Sequence, residues 1–188
     1  MKRGFKAEAE RLGARIRSEM RIPADARIDV DQLAAHLGVK VRDADQFVPR
    51  SDLDRLNVLQ DRCFSAATFH LPNGSIVAVV NPVNATKARR DSDLAHEIAH
   101  LILGHTPSRV ERLGDLAFFD CDSEQEEEAN WLAGCLLLPR PLLLKAAREG
   151  QSPTEVADRY AVSIEMARFR LNTSGAYLQV RRAPRSRY

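Results

Sequence analysis

Cysteine is scarce in this chain. There are three, Cys63, Cys121 and Cys135, widely spaced and with no CxxC pair. An odd, scattered set builds neither a disulfide framework nor a cysteine zinc ribbon. An excess of one charge is also lacking. Lys and Arg number 28 against 26 Asp and Glu, a net charge of +2, so no global attraction to nucleic acid or membrane is built in. Long apolar runs are missing as well, and none approaches the roughly 18 residues of a membrane span. The opening MKRGFKAEAERLG has no apolar h-region, so a signal peptide is not expected and a cytoplasmic location is. Internal repeats and low-complexity tracts are absent. What remains is 188 residues, 44% hydrophobic and 29% charged, which is the chemistry of one ordinary globular domain. A chain of this size buries roughly two-thirds of its unfolded surface.

Phe5, Leu12, Ile16 and Met20 recur at helical spacing and predict an amphipathic helix over about 4–20, ended by Ile22-Pro23. Asp29 or Asp31 caps a short helix that Gly38 stops, and Val39 to Arg42 alternates as a strand. Residues 43–62 are mixed and polar and fit a loop near a site. Phe64–Leu71 and Ile76–Val80 read as two strands joined at Asn73-Gly74, whose residues supply the positive φ of a tight hairpin. DSDLAHEIAHLILG, residues 91–104, is the next helix, capped by Ser92 or Asp93 and ended by Gly104. Residues 105–122 carry no clear pattern. Ser123–Leu138 is another helix, stopped by Pro139 and Pro141, and two short helices are expected to follow to about 172.

The chemistry concentrates at His96-Glu97-Ile98-Ala99-His100. Residues four apart on a helix share one face, so two imidazoles there can reach one zinc ion. Glu97 is rotated away from the pair, where a carboxylate can serve as a base without being a ligand. Leu94, Ala95, Ile98, Ala99, Leu101, Ile102 and Leu103 make this helix apolar nearly all round. Burying two imidazoles and a carboxylate in it is costly without compensation, and a metal compensates. The long pattern with a third histidine six residues on fails, because Thr106 stands there; His105 follows Gly104 as a helix-end histidine.

Zinc normally takes three protein ligands plus water. The run Asp120, Asp122, Glu124, Glu126, Glu127, Glu128 opens the next helix, and most of it suits the positive end of the helix dipole. Glu126 shares a face with Ala129, Asn130 and Ala133, small enough for another helix to come close. That ranks Glu126 ahead of Glu127 and then Glu128 as third ligand, with the one-residue choice left open. Asn130 and His105 are candidates to steady a ligand histidine. An oxyanion donor is not identifiable from the sequence; His105, Tyr160 and the arginines of the last helices are available.

HEIAHLILGH followed by EEEANWLAGCLLLP resembles the ImmA/IrrE family of zinc metallopeptidases, with its HELxHxxLGH and ExEANxFAxxLLxP helices. Leu132 replaces the usual Phe. The likeness extends to IDVDQLAAHLGVKV (28–41), IVAVVN (76–81) and VADRYAVSIEMARFRL (156–171). Arg90-Asp91-Ser92-Asp93 stands where the family often has Arg-Phe-Thr, and 43–62 has no counterpart. The resemblance implies His96, His100 and Glu126 as ligands of zinc, or of manganese or another divalent ion, and Glu97 as base. It implies an α+β, zincin-like fold, mostly helical, with a small antiparallel sheet beside the HExxH helix. It also implies a regulatory endopeptidase whose protein substrate is a DNA-binding helix-turn-helix repressor in a stress-response or mobile-element switch. The implied organisation is a helix in 1–27, a metallopeptidase domain in 28–172 with a helix-turn-helix-like segment at about 151–172, and a basic tail in 173–188.

A rival class comes from that last segment. Residues 152–171 read as helix, turn, helix, with Arg159, Arg168 and Arg170, and the tail adds Arg181, Arg182, Arg185 and Arg187. That suits a nucleic-acid-binding or toxin-antitoxin regulator with a zinc site and no proteolysis. Glu155, Asp158 and Glu165 interrupt the basic surface, and no aromatic is placed to stack bases.

Overall fold

A computed structural model of the chain describes residues 1–59, 64–83, 86–106, 109–113, 116–120 and 122–182. Cys63, Cys121, Arg185 and Arg187 lie outside the described residues.

Helix α1 (Phe5–Glu19) buries Phe5 and Ile16, as the spacing predicts, together with Ala9 and Gly13, while Leu12 and Met20 are partly buried against the core. Helix α2 (Val30–His36) starts at Asp29, whose carboxylate accepts from the Gln32 N–H at 3.1 Å. Strand β1 (Val39–Asp43) follows. The polar stretch after it is not a loop: it forms a short 3-10 helix (Ala44–Gln46) and α3 (Arg50–Leu59). Its apolar positions, Ala44 and Leu53, are buried in a small cluster of their own with Val83.

Strands β2 (Ala66–His70) and β3 (Ile76–Val80) form the expected hairpin. Its loop is longer than a two-residue turn. The Leu71 N–H donates to Ser75 O and the Gly74 N–H to Leu71 O, each at 2.9 Å, with Gly74 at φ 79°. The sheet order is β1-β3-β2, and β1 runs parallel to β3, Val39 opposite Ile76 through Asp43 opposite Val80. The sheet is therefore mixed, not antiparallel. The long segment between β1 and β2 is what a parallel crossover requires, and only the hairpin pair is antiparallel.

Helix α4 (Lys87–Leu103) begins earlier than its apolar pattern indicates. Thr86, not Ser92 or Asp93, is its cap, accepting from the Arg89 N–H at 3.2 Å. The polar first turns are held by the i,i+4 pairs Lys87–Asp91 and Arg89–Asp93, at 2.9 and 3.0 Å. Residues left unassigned by the sequence contain a second hairpin, β4 (Arg109–Leu113) with β5 (Leu116–Asp120). Helix α5 (Ser123–Leu137) is capped by Asp122.

More helix follows than the two short segments expected: α6 (Arg140–Arg148), α7 (Pro153–Tyr160), α8 (Ile164–Thr173) and α9 (Ala176–Arg182). Pro139 and Pro141 end α5, but they also start α6. A proline in the first turn loses no hydrogen bond, since that N–H has no helical partner.

Helices α4 and α5 pack along each other at the centre, with α1 on α5 and the sheet on α4. Leu94, Ala95, Ile98, Ala99, Ala129, Leu132 and Ala133 are fully buried there. Two buried arginines finish α5. Arg17 donates to Leu136 O at 2.7 Å, and Arg170 donates to Leu138 O through Nε and Nη2 at 3.1 and 3.0 Å. Unpaired carbonyls at a helix C-terminus and the negative end of its dipole favour such cations. Gly134 permits the approach: a Cβ there would collide with the Arg170 side chain.

Candidate metal centre

The HExxH turn lies in the half of α4 that packs on α5, and both histidines face that helix. His96 Nε2 and His100 Nε2 are 3.0 Å apart. One carboxylate from α5 closes the set. Glu126 Oε2 lies 3.1 Å from His96 Nε2, and Oε1 lies 3.3 Å from His100 Nε2. Among the described residues, these three side chains form the His/Glu group able to hold a metal ion, with ligand atoms within 4.8 Å of one another. Glu127 lines the cleft beside the cluster without joining it, is well exposed, and lies 3.6 Å from the N-terminal amine. Glu128 is buried and faces His105 instead.

The donor set fits a small divalent cation on two grounds. Tetrahedral bonds of about 2.0–2.1 Å place ligand atoms about 3.3 Å apart; the two imidazole nitrogens are 3.0 Å apart and each lies 3.1 to 3.3 Å from one of the two Glu126 oxygens. The electrostatics agree. Hydrogen bonds from His100 and His96 hold the Glu126 carboxyl far below the usual carboxylate range. Burial pulls the His96 imidazole down, but its hydrogen bond to Glu126 and the charges of Glu126 and Glu97 more than offset this, with help from Asn130. The cluster draws positive charge to the point where the three side chains meet.

Glu97 stands beside the cluster, not in it. Burial raises its carboxyl above the ordinary value, opposed by the neighbouring imidazoles and by Thr68. Thr68 Oγ1 donates to Glu97 Oε2 at 3.2 Å. Nothing in the sequence singles out Thr68. Its one signal is strand parity, which puts it on the helix-facing side of β2 with Ala66.

A second layer supports His100. Gly104, at φ 65°, turns the chain back at the end of α4, with the Gly104 N–H donating to Leu101 O and the His105 N–H to His100 O. His105 Nδ1 then sits 3.0 Å from His100 Nδ1, and His105 Nε2 faces Glu128 Oε2 at 3.5 Å. One tautomer set satisfies the chain: His100 Nδ1–H donates to His105, and His105 Nε2–H points at Glu128. It leaves the His100 Nε2 lone pair for the cluster. Carboxylates and imidazoles behind a metal-binding histidine orient it in this way. Asn130, one turn beyond Glu126, lines the same cleft as His96 and helps raise the basicity of its imidazole.

The cluster opens on a cleft of about 510 Å³, walled by Ser65, Arg89, Asn130, Ser163 and Phe169 as well as His96 and Glu126. Helix α8 forms one wall, tied to α4 by the Ser163 N–H donating to Ser92 Oγ at 3.0 Å. Tyr160 is buried on α7 and is not among the residues that line the cleft. Helices α7 and α8 do form a helix, a turn and a helix, but Arg170 is withdrawn from their surface. It is fully buried and paired with Glu10 at 2.7 Å. Arg168 stays exposed.

Among the described residues, no helix is long and apolar enough to cross a membrane. No curated protein matches the chain. The family model described as the IrrE N-terminal-like domain, Peptidase_M78, matches residues 58–172, more than half of the chain. The match begins at the end of α3, so the segment 28–41 lies outside it. The chain belongs to this family, and its activity is of the metallopeptidase type.

Proposed function

We propose that this peptidase is a zinc-dependent endopeptidase that cleaves a helix-turn-helix repressor and thereby releases a stress-response or mobile-element switch. The observation that carries the chemical half of this reading is the meeting of His96, His100 and Glu126 at tetrahedral spacing with Glu97 next to them. The regulatory half rests on the resemblance of the two helix motifs to the ImmA/IrrE peptidases.

His96, His100 and Glu126 would hold the ion. A zinc ion, when bound, supplies Lewis acidity for acidifying water and polarising a peptide carbonyl. The chain's own groups do the rest. Glu97 takes the proton of the attacking water and hands it to the departing amine. Its burial favours this role, because a carboxyl held above its ordinary value accepts a proton more readily. Thr68 fixes the carboxylate by one oxygen. The Glu128–His105 pair and Asn130 hold the two imidazoles in register.

The test is co-expression of candidate helix-turn-helix repressors from the source genome, any encoded beside this gene first, with the wild type and with Glu97→Gln. Intact and cut repressor are read by gel and mass spectrometry, and zinc content by elemental analysis. Wild type should cut. The variant should keep zinc and lose about 10²–10⁴-fold in rate. An intact repressor with zinc-loaded wild type would overturn the substrate assignment. Loss of zinc from Glu97→Gln would overturn the assignment of Glu97 as a base outside the ligand set.

A further inference from the structure

The three-stranded sheet has two faces, and one of them meets the metal cluster. Thr68, Ala78 and Val80 face α4. Their neighbours Phe69, Val77 and Val79 point the other way, as strand parity requires. Against that far face lean the 3-10 helix and α3, and they do not fill the space. A cavity of about 260 Å³ remains between them. Phe69, Val77 and Val79 form its floor; Ala44, Phe47 and Leu53 form part of its cover. Ala44 and Leu53 are buried, while Phe47 is 61% exposed and marks the opening.

Every described lining residue is apolar. Such a cavity offers water no partner, and an apolar cavity of about 150 Å³ already admits benzene. We propose that this cavity is a binding site for a neutral, apolar small molecule with the bulk of about eight to ten carbons, such as a bicyclic arene or a medium-length alkyl chain. Charged or strongly polar ligands are refused, because no described lining residue replaces their hydration. A protein partner does not suit the space either. Stable protein contacts cover about 800 Å² a side, whereas this is a recess bounded by one sheet, one turn and one helix. The site lies on the face of the sheet away from His96 and Glu97, so it holds or fails independently of the metal chemistry.

Naphthalene is the probe, with naphthalene-2-sulfonate as the charged control, titrated into the full chain and followed by methyl NMR. Submillimolar naphthalene should displace the Val77 and Val79 methyl signals saturably and leave those of Ala129 and Ala133 in place. The sulfonate should do neither. Val77→Phe should fill the cavity and abolish the displacement with an unchanged far-UV spectrum; Ala44→Leu fills it from the other side and serves if Val77→Phe does not fold. The proposal is overturned by no displacement up to the solubility limit of naphthalene, or by displacement that survives a folded filling variant. Sedimentation showing a dimer whose Phe47 is protected in both copies would overturn it too, by assigning the opening to a second chain.

Discussion

On the α4 side of the sheet, Ala78 and Val80 are 0% and 1% exposed and join a core that continues through α4 and α5 to α1. On the other side, Val79 packs against a cluster whose buried members, among the described residues, are Ala44, Leu53 and Val83. The same three strands thus carry one face packed like a protein interior and one face left partly hollow. The packed face carries His96, Glu97, His100 and Glu126, and the proposed metal chemistry would need them held to within fractions of an ångström. The hollow face bears no such demand. Packing density follows what each face has to hold still.

Emptying each side in turn should break the symmetry most clearly. Ile98, fully buried between His96 and His100, should lose about 2–5 kcal/mol of stability in urea on Ile98→Ala, and metal affinity with it. Leu53→Ala should lose about 2 kcal/mol, the lower end for such truncations, because its surroundings can settle into existing space. It should leave metal affinity unchanged. Equal losses in urea would show that the two faces act as one unit. A finer cut lies within the packed side. His105→Phe keeps a ring in place and removes the link from Glu128 to His100, so affinity for zinc in a chelator competition should fall about 10–100-fold. Unchanged affinity would show that His105 only fills space.

Thr68→Val should lower the cleavage rate roughly tenfold, the value of one hydrogen bond to a carboxylate, and leave zinc affinity alone. A parallel drop in zinc affinity would make Thr68 part of the frame around the ligands. The smallest effect belongs to Cys135. Burial pushes its thiol up to about 12, so a Cys63→Ser, Cys121→Ser protein should show no labelling by a disulfide reagent at pH 8 until it is unfolded. Labelling at the unfolded rate would mean that the contact between α1 and α5 opens freely.

These residues also mark what the sequence made legible. That His96 and His100 meet on one face, with Glu97 rotated off it, is legible because helical spacing alone sets their neighbours. The small face of α5 pointed to Glu126, and the structure brings that residue to the two imidazoles. Thr68 was not readable, since its role depends on how β2 pairs with β3 and how that sheet meets α4. The start of α4 was hidden because ion pairs, not apolar periodicity, hold its first turns. Arg170 looked like a surface charge in a helix-turn-helix, yet the open carbonyl of Leu138 and the carboxylate of Glu10 take it inside. Charge in a sequence reports a need for a partner; only the fold says whether that partner is solvent.

Gly104 has a consequence for how such chains can diverge. His105 reaches His100 because one left-handed residue reverses the backbone directly after the helix. A single inserted residue in the last turn would swing His105 by about 100° around the helix axis, and a side chain with a Cβ would strain the reversal itself. The spacing from His96 to His105 is therefore one geometric unit, in which a change of length between His100 and His105 breaks the contact between their rings.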